Sequence, residues 1–471
     1  MQPNVVFFVV DDLGWRDLGC TGSEFYETPN IDRLAARGMR FTEAYAACPV
    51  CSPTRASILT GRYPARVGIT DWIDWRGALH PSRGRVIEVP YLKDLPASEY
   101  CLARALAAGG YATWHVGKWH LGGPGHLPED HGFEVNVGGC HWGSPGRQGY
   151  FSPWGIPALE GAEVPAGTYL TDYLGEQAER LIRQRDGRPF FLNLWFYSVH
   201  TPIQAKEEKI EKYRDRARDL GLDREEALEE GEYFPCEHKK TQRVVRRRFQ
   251  SDPVYAAMIE SLDENVGRVL SALEEEGIAD QTVVVFTSDN GGLATSEGSP
   301  TCNAPLAEGK GWMYEGGTRE PLLVAWPGVT APASACAAPV TSPDFYPTLL
   351  EVAGLDPMPQ QHVDGVSLAP LLKGGADLGR DGIFWHYPHY GNQGGTPGSS
   401  VRCGRHKLIE FHEDGRLELY DLAADAGEAR NLAAEDPATA RELHGRLVEW
   451  RETVGATIPA PNPGWAGPAD G

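Results

Sequence analysis

The stretch Asn-Val-Val-Phe-Phe-Val-Val at residues 4–10, followed directly by Asp11 and Asp12, decides the predicted fold. A continuous run of β-branched and aromatic residues is typical of a strand that is buried on both faces, as in a parallel sheet. The two aspartates follow at the carboxyl end of this strand. Ligands of open parallel sheets bind beyond these strand ends, so the stretch predicts both a fold and the place of a site.

Three further apolar runs end in polar residues that are rich in side-chain chemistry. These runs and the residues after them are Tyr111–Val116 with Lys118 and His120, Phe190–Val199 with His200, and Thr282–Thr287 with Asp289 and Asn290. Helical patterns separate the runs, at Ile31–Arg37, Cys101–Ala108, Thr171–Arg185 and Tyr255–Glu276. The alternation predicts an α/β fold, with a large central, mostly parallel sheet flanked by helices. We expect the strand ends to form one composite site.

The pattern changes near residue 381, where we expect a smaller C-terminal α+β subdomain. The predicted elements there are an antiparallel hairpin and a helix, namely Lys407–Phe411, the turn Asp414-Gly415, Arg416–Tyr420 and Pro437–Val454. The prediction therefore divides the chain into a catalytic domain at 1–380 and a subdomain at 381–471. Within the catalytic domain, the charged stretch at about 204–250 is expected to be a solvated helical insertion.

Composition excludes several classes of function. A net charge of −21 argues against nucleic acid as a partner, and no apolar run approaches the roughly 18 residues of a membrane span. The chain begins without the basic region and cleavage site of a signal peptide. We therefore expect a cytoplasmic protein as given, or a periplasmic or secreted one if a signal was removed. Nine irregularly spaced cysteines argue against a disulfide framework, and the oligomeric state stays open.

A second stretch, Cys51-Ser52-Pro53-Thr54-Arg55, carries the chemistry. Cys51 also has ordinary interpretations, because Cys48 and Cys51 form a C-x-x-C pair that could be redox-active or half of a zinc site. The sequence contains no second C-x-x-C and no thioredoxin-like context, and most lone cysteines are small buried hydrophobic residues. Pro53 suits the first turn of a helix, so Cys51 is expected to precede a helix whose positive end faces an anion.

The Cys-x-Pro-x-Arg string resembles the signature of the type I sulfatases of the alkaline-phosphatase-like superfamily, in which this cysteine is oxidised to formylglycine (3-oxoalanine). Only Cys51 qualifies, because Cys48 has Val50 where proline is required. A hydrated aldehyde has two hydroxyls: one attacks sulfur, and loss of the proton from the other expels sulfate. The resemblance implies a sulfuric ester hydrolase, and a formylglycine-generating maturation enzyme as a partner.

The same resemblance, which extends over nearly the whole chain, implies a divalent metal site. The residues that match the family's metal ligands are Asp11, Asp12, Asp289 and Asn290, together with the oxygen derived from Cys51. An all-oxygen shell suits a hard cation, and its expected irregularity favours Ca²⁺, with Mg²⁺ as the alternative.

The resemblance also implies the catalytic residues, which are Cys51, Arg55, Lys118, His120, His200 and Lys310. Arg55 and the metal are expected to polarise the nucleophile, while Lys118 and Lys310 bind the sulfate oxygens. His120 is expected to take the second proton of the diol, and His200 or Lys310 to protonate the leaving group. The pocket is expected to be cationic, with partly protonated histidines.

The expected substrate is a sulfated carbohydrate, because tryptophan can stack on sugars while Arg and His bind hydroxyls or anions. The expected contacts are Trp75, Arg76, His141, His386 and His389, with Trp72, His80, Trp142, Arg147 and Arg402 near them. Tryptophans also commonly anchor loops on the core. Three alternatives stay open: an arylsulfatase for small aryl sulfates, a phosphonate or phosphate ester hydrolase of the same superfamily, and a catalytically inactive binding protein. The sugar, the sulfate position and exo or endo action are not indicated.

Overall fold

The apolar runs form the centre of the structure, a computed structural model that describes residues 2–74 and 83–466. The strands are β1 Asn4–Val10, β2 Met39–Tyr45, β3 Ala112–Gly117, β4 Val135–Val137, β5 Phe190–Trp195, β6 Leu228–Tyr233, β7 Arg243–Arg247, β8 Thr282–Ser288, β9 Arg319–Ala325, β10 Ser334–Cys336, β11 Val340–Thr341, β12 Ile383–Tyr387, β13 Gly398–Cys403, β14 His406–Phe411 and β15 Leu417–Asp421. The helices are α1 Pro29–Arg37, α2 Cys51–Thr60, α3 Pro64–Val67, α4 Leu102–Ala108, α5 Leu170–Arg183, α6 Glu207–Asp219, α7 Pro253–Glu275, α8 Glu315–Thr318, α9 Phe345–Val352, α10 Ala369–Leu372 and α11 Pro437–Val454.

A nine-stranded sheet, ordered β10-β2-β9-β8-β1-β5-β3-β4 with β11 on β2, forms the core of the molecule. Strand β1 lies between β5 and β8 and is parallel to both, with Val5 opposite Phe191 and Val283. Strand β9 runs antiparallel to its neighbours β2 and β8. Alternate residues of β1 belong to different apolar clusters on the two faces of the sheet, as the continuous apolar run predicts. The predicted α/β fold is confirmed.

The four strands with chemistry at their ends are neighbours in the sheet, in the order β8-β1-β5-β3. Their parallel register brings Asp11, Lys118 and Asp289 to the same edge. Gly117, which ends β3, has φ 104°, and a side chain there would collide with the carbonyl oxygen of Trp195. Glycine at this position therefore allows the chain to turn sharply after β3, so that Lys118 lies at the edge of the sheet.

The C-terminal residues form a separate antiparallel sheet, ordered β12-β13-β14-β15. One face packs on α11, with Val401, Leu408 and Leu419 against Leu443 and Leu447. The opposite face packs against the large domain, in an apolar cluster that includes segment 45–50. The predicted hairpin and helix are confirmed, whereas the domain boundary at 380/381 stays a prediction.

The charged stretch 204–250 is α-helical only over Glu207–Asp219, with short 3-10 turns at Leu222–Arg224 and Glu237–Lys239, in contrast to the helical insertion that was predicted. Strands β6 and β7 of this stretch pair as an antiparallel ladder. Val244 of β7 is buried with Phe234 and Trp312, which gives the ladder an apolar contact that a charge pattern does not reveal. Burial of this contact outweighs the local preference for helix.

Among residues 2–74 and 83–466, no helix combines the length and the apolar character that crossing a bilayer requires. All nine cysteines are free thiols.

Candidate active site

Cys51 is the first residue of helix α2, not a residue that precedes it as predicted. Val50 is the extended N-cap, and all ten residues of the helix are buried. Pro53 lies at the third position, which is tolerated because the first backbone N–H groups of a helix have no partner within it. Cys51 is only 2% exposed. Its side chain therefore lies at the positive end of a buried helix.

Oxygen atoms from β1 and β8 meet at the edge of the large sheet. The backbone N–H of Asp12 donates to Asp289 Oδ1 over 3.2 Å, and Asn290 Nδ2 donates to Asp12 Oδ1 over 2.9 Å. Asp11 Oδ1 and Asn290 Oδ1 are buried without a hydrogen-bond partner. Ligand atoms of Asp11, Asp12 and His200 lie within 4.8 Å of one another. Burying an oxygen without a hydrogen-bond partner costs free energy of folding. The unpartnered oxygens of Asp11 and Asn290 fit a hard divalent cation such as Ca²⁺ or Mg²⁺.

Three cationic side chains face these carboxylates. Arg55 Nε and Nη2 lie 2.8 Å and 2.7 Å from Asp289 Oδ2. Lys118 Nζ donates to Asp11 Oδ2 over 2.6 Å. Lys310 Nζ donates to Asp12 Oδ2 over 2.8 Å. Each predicted cation is therefore paired with a predicted metal ligand, so the charges balance in this structure and the pocket is not cationic on its own.

The two adjacent aspartates titrate differently because their neighbours differ. Burial raises the pKa of Asp11 well above its ordinary value, against the attraction of Lys118. Burial acts in the same direction on Asp12, but the positive charge of Lys310 is the largest of the effects that outweigh it, and the pKa of Asp12 is lowered. Although burial opposes its charge, the field of Asp12 raises the pKa of Lys310. Asp12 and Lys310 therefore form a buried ion pair.

His120 connects Cys51 to a backbone carbonyl. Its Nε2 lies 2.9 Å from the Ile73 oxygen, and its Nδ1 lies 3.3 Å from Cys51 Sγ. Because a carbonyl can only accept, Nε2 carries the proton and Nδ1 faces the sulfur. Burial and then Lys118 lower the pKa of His120 well below its ordinary value, so the ring is neutral. A side chain at Gly143 would collide with this ring, so glycine leaves room for it.

His200 follows β5 and lies beside Asp12. Its Nε2 is 3.8 Å from Asp12 Oδ2, while Nδ1 lies 2.8 Å from the Thr201 oxygen. Burial and then Lys310 lower the pKa of His200 to about 3. Both site histidines are therefore neutral, which corrects the prediction of partly protonated rings. Desolvation is the cause in both cases, and it could not be read from the sequence.

His386, which was predicted as a substrate contact, is buried and has a partner at each ring nitrogen. Its Nδ1 lies 2.8 Å from Ser399 Oγ, and its Nε2 lies 3.1 Å from the Thr457 oxygen. Successive residues of a strand point to opposite faces. In β12, Trp385 therefore points towards Ala46, and its Nε1 donates to the Ala46 oxygen over 2.7 Å. His386 points to the other face, where it is buried beneath the C-terminal segment that contains Thr457.

The other predicted substrate contacts are in three different situations. Trp75, Arg76 and His80 lie outside the described residues. His389 is 1% exposed, with Nε2 2.8 Å from Thr70 Oγ1. Arg402 is also buried, where it contacts Glu43 and the hydroxyl of Tyr45. The partly or fully exposed residues are Trp72, His141, Trp142 and Arg147.

Segment 140–143 lies directly against His120. The backbone N–H of His120 donates to the Cys140 oxygen over 2.9 Å, and Gly143 approaches the ring of His120. Trp142, between these two contacts, is partly exposed. Trp142 was predicted only as a neighbour of the substrate contacts. The sequence does not rank it above Trp75, because the contacts of Cys140 and Gly143 with His120 join distant parts of the chain.

Sequence reasoning missed two further residues of the site, Ser52 and Ile73. Ile73 holds His120 through its backbone oxygen, and its own N–H donates to Ser52 Oγ over 3.1 Å. A backbone acceptor has no signature in the sequence. Ser52 occupies a variable position of the Cys-x-Pro-x-Arg string, so only the structure indicates its contact.

Comparison with known proteins identifies matches along almost the whole chain. A family model described as Sulfatase matches residues 3–355, and one described as N-sulphoglucosamine sulphohydrolase, C-terminal, matches residues 308–453. A sulfatase of Formosa agariphila is 33% identical over 95% of this chain and 88% of its own length. Arylsulfatase A of Homo sapiens is 32% identical over 91% and 83%. The solved structure of Ps i-CgsB in complex with k-i-k-neocarrahexaose has a TM-score of 0.76 at 27% identity, covering 96% of this chain and 93% of that one.

Proposed function

Because this chain belongs to the sulfatase family, we propose that it hydrolyses the sulfate esters of a carbohydrate with a nucleophile derived from Cys51. One observation carries the proposal: Cys51 Sγ lies 3.3 Å from a neutral His120 at the start of a buried helix. Oxidised to formylglycine and hydrated, residue 51 would supply one hydroxyl to attack sulfur and a second whose deprotonation expels sulfate.

In this proposal His120 accepts the proton at residue 51. Its Nδ1 carries no hydrogen, because Nε2 donates to the Ile73 oxygen. The low pKa of the buried ring is consistent with a base that is free of a proton before it acts. His120 is therefore assigned the release of sulfate rather than protonation of the leaving group.

Protonation of the leaving oxygen is assigned to Lys310 or His200. Lys310 carries a proton that it already donates to Asp12 over 2.8 Å. His200 has its Nε2 turned towards Asp12 without a proton, because Nδ1 faces a carbonyl oxygen. Lys310 is the better-supported acid in this structure. Lys118 and Lys310 are the proposed contacts for the sulfate oxygens, and Arg55 is proposed to hold the nucleophile.

The proposed metal ligands are Asp11, Asp12, Asp289 and Asn290, with the oxygen at residue 51. The unpartnered oxygens of Asp11 and Asn290 support this assignment. A bound Ca²⁺ or Mg²⁺ would polarise the oxygen at residue 51 and stabilise negative charge on sulfate. The carboxylates are already oriented for such a cation, because Asn290 and the backbone of Asp12 hold them by hydrogen bonds.

A carbohydrate substrate is supported by segment 140–143. Trp142 of this segment is partly exposed, and the flat face of a tryptophan can stack on a sugar. Ps i-CgsB, which shares 27% of its sequence with this chain, was solved with a neocarrahexaose. The alternative is a small aryl sulfate, favoured by the similarity to Arylsulfatase A. A phosphonate or phosphate ester hydrolase is the second alternative, because its chemistry would need the same metal and cations.

The test is turnover of defined sulfated mono- and oligosaccharides, an aryl sulfate and an aryl phosphate by the same preparation. We expect sulfate release with the highest kcat/KM on a sulfated sugar, and no release by Cys51→Ala. Peptide mass spectrometry should find an aldehyde at residue 51 in active protein. Turnover by protein with an intact thiol would contradict the mechanism, and a preference for the phosphate would contradict the reaction class.

A further inference from the structure

A closed path of contacts surrounds residue 51. Cys51 Sγ lies 3.3 Å from His120 Nδ1, and His120 Nε2 donates to the Ile73 oxygen over 2.9 Å. The N–H of Ile73 donates to Ser52 Oγ over 3.1 Å. Ser52 is the covalent neighbour of Cys51, so the path returns to its start. All four residues are almost fully buried, with exposed fractions of 0 to 3%.

We propose that Ser52 is a positioning residue that fixes the tautomer and orientation of His120 through Ile73. Its hydroxyl holds the N–H of the same residue whose carbonyl holds Nε2 of His120. Helix α2, which contains residue 51, thereby also sets the orientation of His120, the proposed base. The kinetic consequence rests on the proposed function, whereas the effect on the ring does not.

In the local structure, the hydroxyl of Ser52 is the group that accepts from the N–H of Ile73. The preceding carbonyl, of Trp72, accepts from Tyr91 Oη over 2.7 Å, and the N–H of Trp72 donates to Asp71 Oδ1 over 2.7 Å, so segment 72–73 is fixed at four points. Without the hydroxyl of Ser52, the N–H of Ile73 would be buried and unpaired, which favours a shift of the peptide. A shift of Ile73 moves the acceptor of His120 and allows Nδ1 to carry the proton instead.

Substitution of Ser52 by Ala, with Ser52→Thr as the conservative variant, tests the proposal. Ser57→Ala is the matched control, because Ser57 is a buried serine of the same helix whose hydroxyl donates to the Arg62 oxygen. The first readout is the ring ¹⁵N spectrum of histidine-labelled protein prepared without maturation, so that residue 51 stays a thiol. His120→Asn assigns the signal of His120.

Wild type, Ser52→Thr and Ser57→Ala should all show His120 protonated at Nε2 alone. Ser52→Ala should show exchange between the two tautomers, or the proton at Nδ1. A folded Ser52→Ala protein with an unchanged Nε2–H signal would overturn the proposal. This outcome does not depend on any sulfatase activity, so it is distinct from failure of the proposed function.

The second readout is kinetics of protein matured at residue 51, normalised to the converted fraction found by peptide mass spectrometry. For Ser52→Ala, kcat should fall by about ten- to a hundredfold, less than the full contribution of a general base. KM should change little, because Ser52 is buried and does not reach the substrate. Recovery of kcat by Ser52→Thr is expected, and an unchanged kcat in Ser52→Ala would also contradict the proposal.

Discussion

Two buried histidines, one at the edge of the large sheet and one in the C-terminal sheet, have different surroundings. His120 uses one ring nitrogen on a backbone oxygen and turns the other to Cys51. His386 has Ser399 at one nitrogen and the Thr457 oxygen at the other. Both were predicted as site residues, and both are neutral because burial lowers their pKa. The difference teaches that burial does not distinguish the two histidines, whereas the group that the second ring nitrogen faces does.

The same contrast applies to the charged groups of the two regions. At the edge of the large sheet, Asp11 Oδ1 and Asn290 Oδ1 are buried without hydrogen bonds. Beneath the C-terminal sheet, Lys407 Nζ lies 3.0 Å from both Glu315 Oε1 and Glu428 Oε1. The first arrangement has oxygens to offer to a cation from outside. The second consists of one cation between two carboxylates, and it connects β14 to α8.

Removal of divalent metal should have the largest effect, and it tests whether the open oxygens of the sheet edge bind a cation. We expect chelation to lower kcat/KM by more than about a hundredfold, comparable to the loss of a transition-state contact, and Ca²⁺ to restore it. Ca²⁺ should also raise the melting temperature of the metal-free protein, because it binds only the folded state. Full activity in protein that elemental analysis finds free of metal would contradict the prediction that the oxygens at the sheet edge bind a cation.

Lys407→Met should produce the next largest effect, on stability. It leaves Glu315 and Glu428 without their common cation, and breaking a buried ion pair typically costs about 3–5 kcal/mol. Lys373→Met is the matched control, because Lys373 and Glu351 form an exposed pair at 2.8 Å that should contribute about 0–1 kcal/mol. Urea denaturation measures both. Equal losses in the two variants would show that the internal cluster does not hold the C-terminal sheet.

Acid should destabilise both regions through histidines that are buried and neutral. Burial lowers the pKa of His115 in β3 to about 3 and that of His412 near β14 to about 4, from 6.5. The unfolded chain binds these protons first, so the contribution to stability is complete above pH 6.5 and declines as the pH falls towards 4. The expected slope is about 1.4 kcal/mol per pH unit for each histidine. Denaturation of wild type and His115→Gln across this range should differ by one such slope; parallel curves would contradict the prediction.

The smallest expected effect concerns substrate contact. Trp142→Ala should raise KM for a sulfated oligosaccharide by about two- to tenfold, as expected for loss of an aromatic contact of ~0.5–1.5 kcal/mol. His386→Gln should leave KM unchanged, since His386 faces the C-terminal segment. Initial rates on one oligosaccharide measure both. If His386→Gln raised KM and Trp142→Ala did not, the substrate contact would lie at the C-terminal sheet instead.

The sequence predicts the large sheet well because its signals are local. The apolar run at residues 4–10 matches β1 residue for residue, and Pro437–Val454 matches α11. The stretch 204–250 was less predictable, since its ladder depends on Val244 meeting distant Trp312. Long-range packing of this kind leaves no periodic trace in the chain.

The candidate site was predictable where side chains carry the chemistry at strand ends. Asp11, Asp12, Lys118 and Asp289 are brought within contact of one another or of a shared partner. Their roles stay predictions. What the sequence could not provide is the backbone part of the site, such as the oxygen of Ile73, and the desolvation that keeps the site histidines neutral.

Complete burial of helix α2 sets a time limit on any enzyme that must reach Cys51. The helix is enclosed by segments made much later, and Gln361, 301 residues further along the chain, donates to the Thr60 oxygen. At a synthesis rate of about 5–20 residues per second, residue 51 leaves the ribosome roughly 15 to 60 seconds before that partner exists. Slow translation would lengthen this interval, whereas overexpression would leave it unchanged and increase the number of copies that compete for the same modifying enzyme.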